Sequence, residues 1–489
     1  MLKKQGLCQS KLSFICHIFL SLPYFWVGIC LGQQEEVIMA TNVDHISSQL
    51  SFSAFSRATE LKKRIWFTLG ALILYRLGTY IPVPGIDPEV LKQIFHNTQG
   101  DMLDIFNMFS GGALSRMTIF ALNIMPYISA AIIMQLMASV IPALESIKKE
   151  GEIGRKRINQ YTRYLTVILA SFQSYGIAVG LESLSGFGEW GAVLNPGTFF
   201  RTTTLITLVG GTIFLMWLGE QITARGIGNG VSLIIFSGIV ANLPSAIANL
   251  FELGRTGALP AIGIPILLIM GWAVIAFICF IERSQRKILV QYPKRQLGNR
   301  MTSGDSSHLP LKINVSGVIP PIFASSLLLM PITVASLSAG KNNAPSDWLS
   351  KVTTLLGHGN PLYIAIYVCL IVFFSFFYTA IVFNPEETAE NLRKYSGFLP
   401  GIRPGKNTSN YLNFVLTRLT VIGAAYLSFV CVLPELLISQ FSVPFYFGGT
   451  SLLIIVTVTI DTVSQIQSHL LTHQYEKLIK KSRFRGKRI

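Results

Sequence analysis

The chain has 489 residues, 51% of them hydrophobic and 13% charged, about half the charged share of an ordinary soluble domain. Its net charge of +16 sits in short polar stretches between long apolar runs. That pattern excludes a soluble core and makes the basic excess a signal of membrane topology before one of nucleic-acid binding. The six cysteines form no C-x-x-C pair, which leaves neither a disulfide framework nor a zinc site.

Residues 1–38 read as a doubtful extension. Leu12–Leu31 is apolar enough for a signal sequence or an additional helix. The competing reading is a misplaced start: Glu35-Glu36-Val37-Ile38 resembles translated purine-rich leader before Met39, from which Ala40-Thr41-Asn42 reads as an ordinary N-terminus. Ten apolar spans follow, each near the length a helix needs to cross hydrocarbon. They are Ile65–Ile81, Met117–Ile141, Tyr164–Leu184, Thr202–Leu218, Val231–Leu250, Ala261–Ile281, Val315–Leu337, Leu362–Phe383, Phe414–Leu433 and Phe445–Ile466. Placing residues 39–64 in the cytoplasm puts the dense cation clusters on one side, among them Lys148, Lys149, Arg155, Lys156, Arg157, Arg286, Lys287 and the basic tail 467–489. By the positive-inside rule both ends are then cytoplasmic.

Three connections stand out. Met102–Met117 is amphipathic, too short to span, and bendable at Gly111-Gly112. It is either an interfacial helix or non-spanning backbone held inside protein. The loops 282–314 and 384–413 are long enough to be functional or disordered. The second carries Pro400-Gly401-Ile402-Arg403-Pro404-Gly405, which reads either as a simple solvated turn or as turn residues that hold Arg403 at a defined tip. Pro126 and Pro320-Pro321 interrupt spans two and seven and predict kinks there.

No catalytic constellation is visible. Gly401 to Lys406 lacks the spacing and the Ser or Thr of a phosphate loop, and His469 with His473 lacks the glutamate of H-E-x-x-H. A secondary transporter would place ionisable groups near span centres; Arg76 and Asp461 lie toward span ends. The sequence implies no cofactor and no metal.

From residue 55 to 480 the chain resembles the SecY/Sec61-alpha family of protein-conducting channels. The resemblance rests on the runs 106–116 (Phe-Asn-Met-Phe-Ser-Gly-Gly-Ala-Leu-Ser-Arg), 124–130 (Ile-Met-Pro-Tyr-Ile-Ser-Ala) and 148–152 (Lys-Lys-Glu-Gly-Glu). Also matching are 216–223 (Met-Trp-Leu-Gly-Glu-Gln-Ile-Thr), 225–230 (Arg-Gly-Ile-Gly-Asn-Gly), 308–312 (His-Leu-Pro-Leu-Lys) and 444–452 (Pro-Phe-Tyr-Phe-Gly-Gly-Thr-Ser-Leu). It implies an all-α membrane protein: ten helices in two pseudo-symmetric five-helix halves, 65–250 and 261–466, joined by the outer linker 251–260 around an hourglass pore. Carried over residue by residue, the pore ring is Ile124, Ile128, Ile235, Ile322 and Ile454. The segment 102–117 becomes a plug, with Phe106, Asn107, Met108, Phe109, Ser110, Gly111, Gly112, Ala113 and Leu114 as its matching residues.

The family also implies a lateral gate at spans two and seven with Pro126, Ser129, Pro320 and Pro321. Docking of the SecA motor or a ribosome falls to Arg403, Lys294, Arg295 and Arg300. Implied partners are SecE and SecG in a heterotrimer, SecD/SecF, YidC, unfolded preproteins and membrane lipids. ATP hydrolysis would come from SecA, in the bacterial inner membrane. The family usually begins near Met39, so intact-mass measurement of the natively expressed protein is expected to give a chain starting at Met39 or Ala40; a mass that includes residues 1–38 refutes this start.

Overall fold

Hydrocarbon offers a backbone no hydrogen-bond partner, so the apolar runs close their own amides as helices. The computed structural model describes residues 59–87, 89–91, 110–184, 193–256, 263–293, 296–297, 300–301, 306–338, 361–441 and 449–485. In chain order the helices are α1 (Thr59–Gly78), α2 (Met125–Val140), α3 (Pro142–Lys149), α4 (Glu152–Leu184), α5 (Thr198–Arg225), α6 (Gly230–Ala241), α7 (Leu243–Arg255) and α8 (Gly263–Arg283). Four short strands follow, β1 (Gln285–Gln291), β2 (Gln296–Leu297), β3 (Arg300–Met301) and β4 (Ser306–Lys312). The rest is α9 (Ile319–Ser338), α10 (Pro361–Val382), α11 (Pro385–Lys394), α12 (Lys406–Phe441) and α13 (Gly449–Arg485). Residues Arg64–Ile466 form one compact unit; residues 1–63 and 467–489 form another, whose described parts are helical.

Seven helical stretches among the described residues are long and apolar enough to cross a membrane, α6 with α7 and α10 with α11 each counting once. The pair α2–α3, bent by 99°, makes an eighth. With α1 and α9, helices occupy all ten expected spans.

Two helices start later than expected. Residues 110–124 are turns, with left-handed backbone at Met117 (φ 42°) and Asn123 (φ 50°), so α2 begins at Met125. Likewise α9 begins at Ile319. Pro126, Pro320 and Pro321 therefore lie in first helical turns, where the amide a proline lacks has no intrahelical partner to lose. The kinks expected at these prolines are corrected to helix starts.

Many buried hydroxyls within the helices bond back to the preceding turn, as in Thr166 Oγ1 to Thr162 O (2.7 Å) and Thr379 Oγ1 to Ser375 O (2.8 Å). Antiparallel neighbours α4 and α5 are cross-linked at two levels nineteen residues apart. Arg163 donates from Nε and Nη2 to the two carboxylate oxygens of Glu220 at 2.9 and 2.7 Å. At the other level Arg201 donates from Nε to Glu182 at 2.8 Å, and Gly197 N donates to the same carboxylate at 3.1 Å.

The joint between α5 and α6 ties distant helices together. Ile227 N donates to Thr68 Oγ1 of α1 (3.1 Å), Gly228 N to Gln465 Oε1 of α13 (2.8 Å) and Gly230 N to Thr223 Oγ1 of α5 (2.9 Å). Asn229 caps α6 by accepting from Val231 N at 3.2 Å.

The long connection after α8 is not irregular. β1 and β4 pair antiparallel from Gln285↔Lys312 to Gln291↔Ser306, and β2 pairs with β3. Gln291 and Phe398 exchange two backbone hydrogen bonds of 2.9 Å, which joins this hairpin to the second long connection. Ile288, Val290, Leu311, Leu399, Leu412 and Val415 share one apolar cluster beneath both, with Ile402 packed against it.

Close approach of α5 and α6 depends on Gly230, where any Cβ would collide with Gly219 O. Gly230→Ala is therefore expected to destabilise the purified protein by about 1–3 kcal/mol, read as a lower thermal unfolding midpoint; an unchanged midpoint refutes the packing argument.

Candidate functional site: an isoleucine constriction

Ile124, Ile128, Ile235, Ile322 and Ile454 line a single cavity, together with Asn123 and Met125. The five come from four places in the fold. Ile124 is the residue before α2, and Ile128 follows one turn later, its N–H donating to Ile124 O at 3.1 Å. Ile235 lies within α6, Ile322 in the first turn of α9, and Ile454 near the start of α13. The space they leave is about that of one water molecule. Ile124 is 1% and Ile454 2% exposed, so the side chains are packed against one another.

Behind the cavity lies a cluster drawn from α1, α5, α6 and α13 that includes Tyr75, Leu215, Leu218, Ile234 and Val458. Apolar side chains around such a cavity bind no ion and offer no directional bond. Asn123 contributes the one polar side chain among the lining residues, on a left-handed backbone that asparagine tolerates better than most residues. Sequence reasoning passed over Asn123 and Met125; an asparagine inside an apolar run was the available signal.

The chain just before the constriction is pinned next to it. Arg76 Nη1, in the last turn of α1, donates to Gly111 O at 2.9 Å. Gly111 has φ +69°, and a Cβ there would stand 3.0 Å from the Cα of Gly238. Gly238 lies three residues beyond Ile235 on α6, about 4.5 Å along the helix axis. Thr118 N donates to Ala113 O (3.0 Å) and Val83 N to Met117 O (2.9 Å), so turns 113–118 are bonded to themselves and to the strand-like 81–83. Ser110 and Ala113 are buried. Arg76 and Arg116 both stack on the Tyr80 ring, at 5.1 and 4.7 Å. Phe106, Asn107, Met108 and Phe109 lie outside the described residues.

Pro126, Pro320 and Pro321 are buried and Ser129 is half-buried. Their helices α2 and α9 touch, with Ile132, Phe323, Ala324 and Leu328 in a common cluster. Arg403 is exposed on a turn framed by Gly401 (φ +79°) and Gly405 (φ +110°). Ile402 anchors the turn in the hairpin cluster, and Thr408 Oγ1 donates to Arg403 O at 3.1 Å. Lys294 and Arg295 lie outside the described residues, and Arg300 is placed only as part of β3.

Ten helical elements, most of them long and apolar enough to cross a membrane, define a multi-pass membrane protein, and four places in that fold supply the isoleucines around one cavity. Comparison makes the class specific. A sequence model of the SecY family matches residues 118–463. The chain is 56% identical over 429 residues to the protein translocase subunit SecY of Rickettsia conorii, covering 87% of this chain and 98% of that one. It is 53% identical over 427 residues to the Escherichia coli K12 subunit, covering 87% and 96%. A solved protein-conducting channel shares the fold with TM-score 0.59 at 18% identity, covering 83% of this chain and 92% of that one. Sec61 in a canine ribosome-channel complex gives 0.55 at 18% identity, with coverage of 83% and 92%. The chain belongs to the SecY family.

The Gly111 contacts generate a direct test. In a cysteine-free background, Ser110→Cys is expected to resist a thiol reagent, because position 110 is only 2% exposed. Adding Gly111→Val, which strains the left-handed backbone and collides with Gly238, is expected to make Cys at 110 reactive; continued protection refutes the close packing of Gly111 on Gly238.

Proposed function

We propose that this chain is the channel subunit of a protein translocase, and that an extended preprotein passes through the isoleucine constriction. The observation that carries this is the cavity: five branched apolar side chains from separate elements meet with space for about one water between them. Such a ring seals by dewetting at rest and yields around any passing sequence, because it forms no bonds that a substrate must break.

The other roles follow from position. Ser110–Leu114 serves as the end of the plug nearest the ring, with residues 102–109 as its remainder. α2 and α9 form the lateral gate, opening toward lipid for apolar segments; Pro126, Ser129, Pro320 and Pro321 lie at or near its helix starts. The basic hairpin side faces the cytoplasm of a bacterial inner membrane, with both termini on that side and the halves 65–250 and 261–466 flanking the pore. Arg403 docks the SecA motor or a ribosome, Lys294, Arg295 and Arg300 widen that basic surface, and the motor supplies ATP hydrolysis. Solved relatives described as ribosome-channel complexes support ribosome docking. SecE and SecG complete the unit, with SecD/SecF and YidC as further partners.

A preprotein stalled mid-passage tests the reading. Photoreactive groups placed at Ile322 or Ile454 are expected to crosslink to it, whereas a group at Trp272, 76% exposed on α8, is expected to label lipid. Ring positions that never label the stalled chain would sink the proposal.

A further inference from the structure

The hairpin and the constriction are joined through one buried polar node. β4 ends at Lys312 and α9 begins at Ile319, so six residues separate the hairpin from the helix that carries Ile322. Almost none of that length is slack. Ile313 N donates to Ser284 O at 3.2 Å, extending the β1–β4 pairing by one more rung. Asn314, 3% exposed, then bonds in four directions. Its Nδ2 donates to Glu282 Oε1 at the end of α8 (2.7 Å) and to Gly317 O (3.1 Å). Its Oδ1 accepts from Ser316 Oγ (3.0 Å) and Gly317 N (3.1 Å). Gly317 has φ +65°, the backbone this tight turn requires. Gly423 of α12 packs against the same spot, where a Cβ would meet Ile313 O at 3.3 Å.

The arrangement has a mechanical meaning. At one end, the Arg403 turn is bound to β1 through the Gln291–Phe398 pair and the shared apolar cluster. At the other end, Ile322 sits three residues into α9, about 4.5 Å from its start. Between them a paired ladder and a fully bonded asparagine leave few free torsions to absorb a displacement. Val318, the last residue before α9, packs against the clusters on both sides of the cavity.

We infer that Asn314, held by Glu282, is a positioning residue that carries displacement of the hairpin to Ile322 and so couples docking on the hairpin side to opening of the constriction. Resting on the channel reading above, it assigns a role to two residues outside the ring, plug, gate and docking surface. A buried amide–carboxylate pair is suited to this, because breaking it leaves a buried group without its partner and the node resists stretching. In the sequence Glu282 and Asn314 stand out only as the bounds of the loop 282–314, with Asn314-Val315-Ser316 also matching a glycosylation pattern on the cytoplasmic side; a glutamate at the end of an apolar run and an asparagine just before another are the signals of a structural role.

Three variants of the complete translocase test it: Glu282→Gln, which keeps an acceptor for Asn314 Nδ2; Asn314→Ala, which removes the node; and the pair Glu282→Leu with Asn314→Leu, which removes it without stranding a buried carboxylate. Motor affinity and the maximal translocation rate at saturating motor are measured separately. Glu282→Gln is expected to stay within about twofold of wild type in both. The node-breaking variants are expected to keep motor affinity within about twofold while the maximal rate falls roughly tenfold or more, the scale of losing one hydrogen bond to a charged group. A wild-type maximal rate in either node-breaking variant overturns the inference, as does a loss confined to motor affinity. If neither node-breaking variant accumulates in the membrane, the pair serves folding alone and the inference falls. A wild-type complex that moves no preprotein would instead refute the channel reading on which the test stands.

Discussion

Five isoleucines from separate elements meet at one cavity, and much of the surrounding structure fixes the elements that carry them. In the proposed channel the cavity can seal only while its isoleucines stay packed together, and separate elements bring them there. Ile124 arrives through the left-handed turn at Asn123 that precedes α2. Ile322 arrives because α9 begins at Ile319 and not at Val315. Ile235 and Ile454 are set by α6 and α13, which the α5–α6 joint binds to one another's neighbours through Thr68 and Gln465. A non-directional contact thus depends on many directional ones placed around it, where hydrogen bonds do not obstruct passage.

The same division runs through the whole fold. Within the spans, many hydroxyls bond to the preceding turn, which hides their polarity from lipid and from neighbouring helices. Polar and charged contacts gather toward helix ends, as in the Arg76–Gly111 bond, the Arg201–Glu182 fork and the Glu282–Asn314 node. Helix ends are where backbone groups lack partners and where connections must be positioned.

Much of this was legible in the sequence, for reasons that differ by element. Length and hydropathy located all ten helical elements, because hydrocarbon imposes a length that composition displays. The isoleucines came from family resemblance; spacing alone joined only Ile124 to Ile128. The starts of α2 and α9 were misjudged because hydropathy does not distinguish an apolar turn from an apolar helix, and prolines were read as breaks when they mark beginnings. The hairpin was hidden because Arg286, Lys287 and Lys312 made a paired β-ribbon look like a solvated loop. Which arginine meets which carboxylate was beyond reach, since the partners of Arg163 and Arg201 are fixed only by how α4 and α5 lie together.

Those two arginine forks have a consequence for the surrounding lipid. Arg163 and Glu182 lie nineteen residues apart on α4, as do Arg201 and Glu220 on α5. At 1.5 Å per residue the two charged belts stand about 28 Å apart, close to the hydrocarbon thickness of an ordinary bilayer. The helix pair therefore carries its own gauge of membrane thickness. In a thicker bilayer one belt would be drawn into hydrocarbon or the lipid would have to thin around it, at a cost of a fraction of a kcal/mol per ångström of mismatch. Acyl-chain length thereby becomes a variable that acts on this side of the bundle, with each paired charge serving as a mark of where the headgroups must lie.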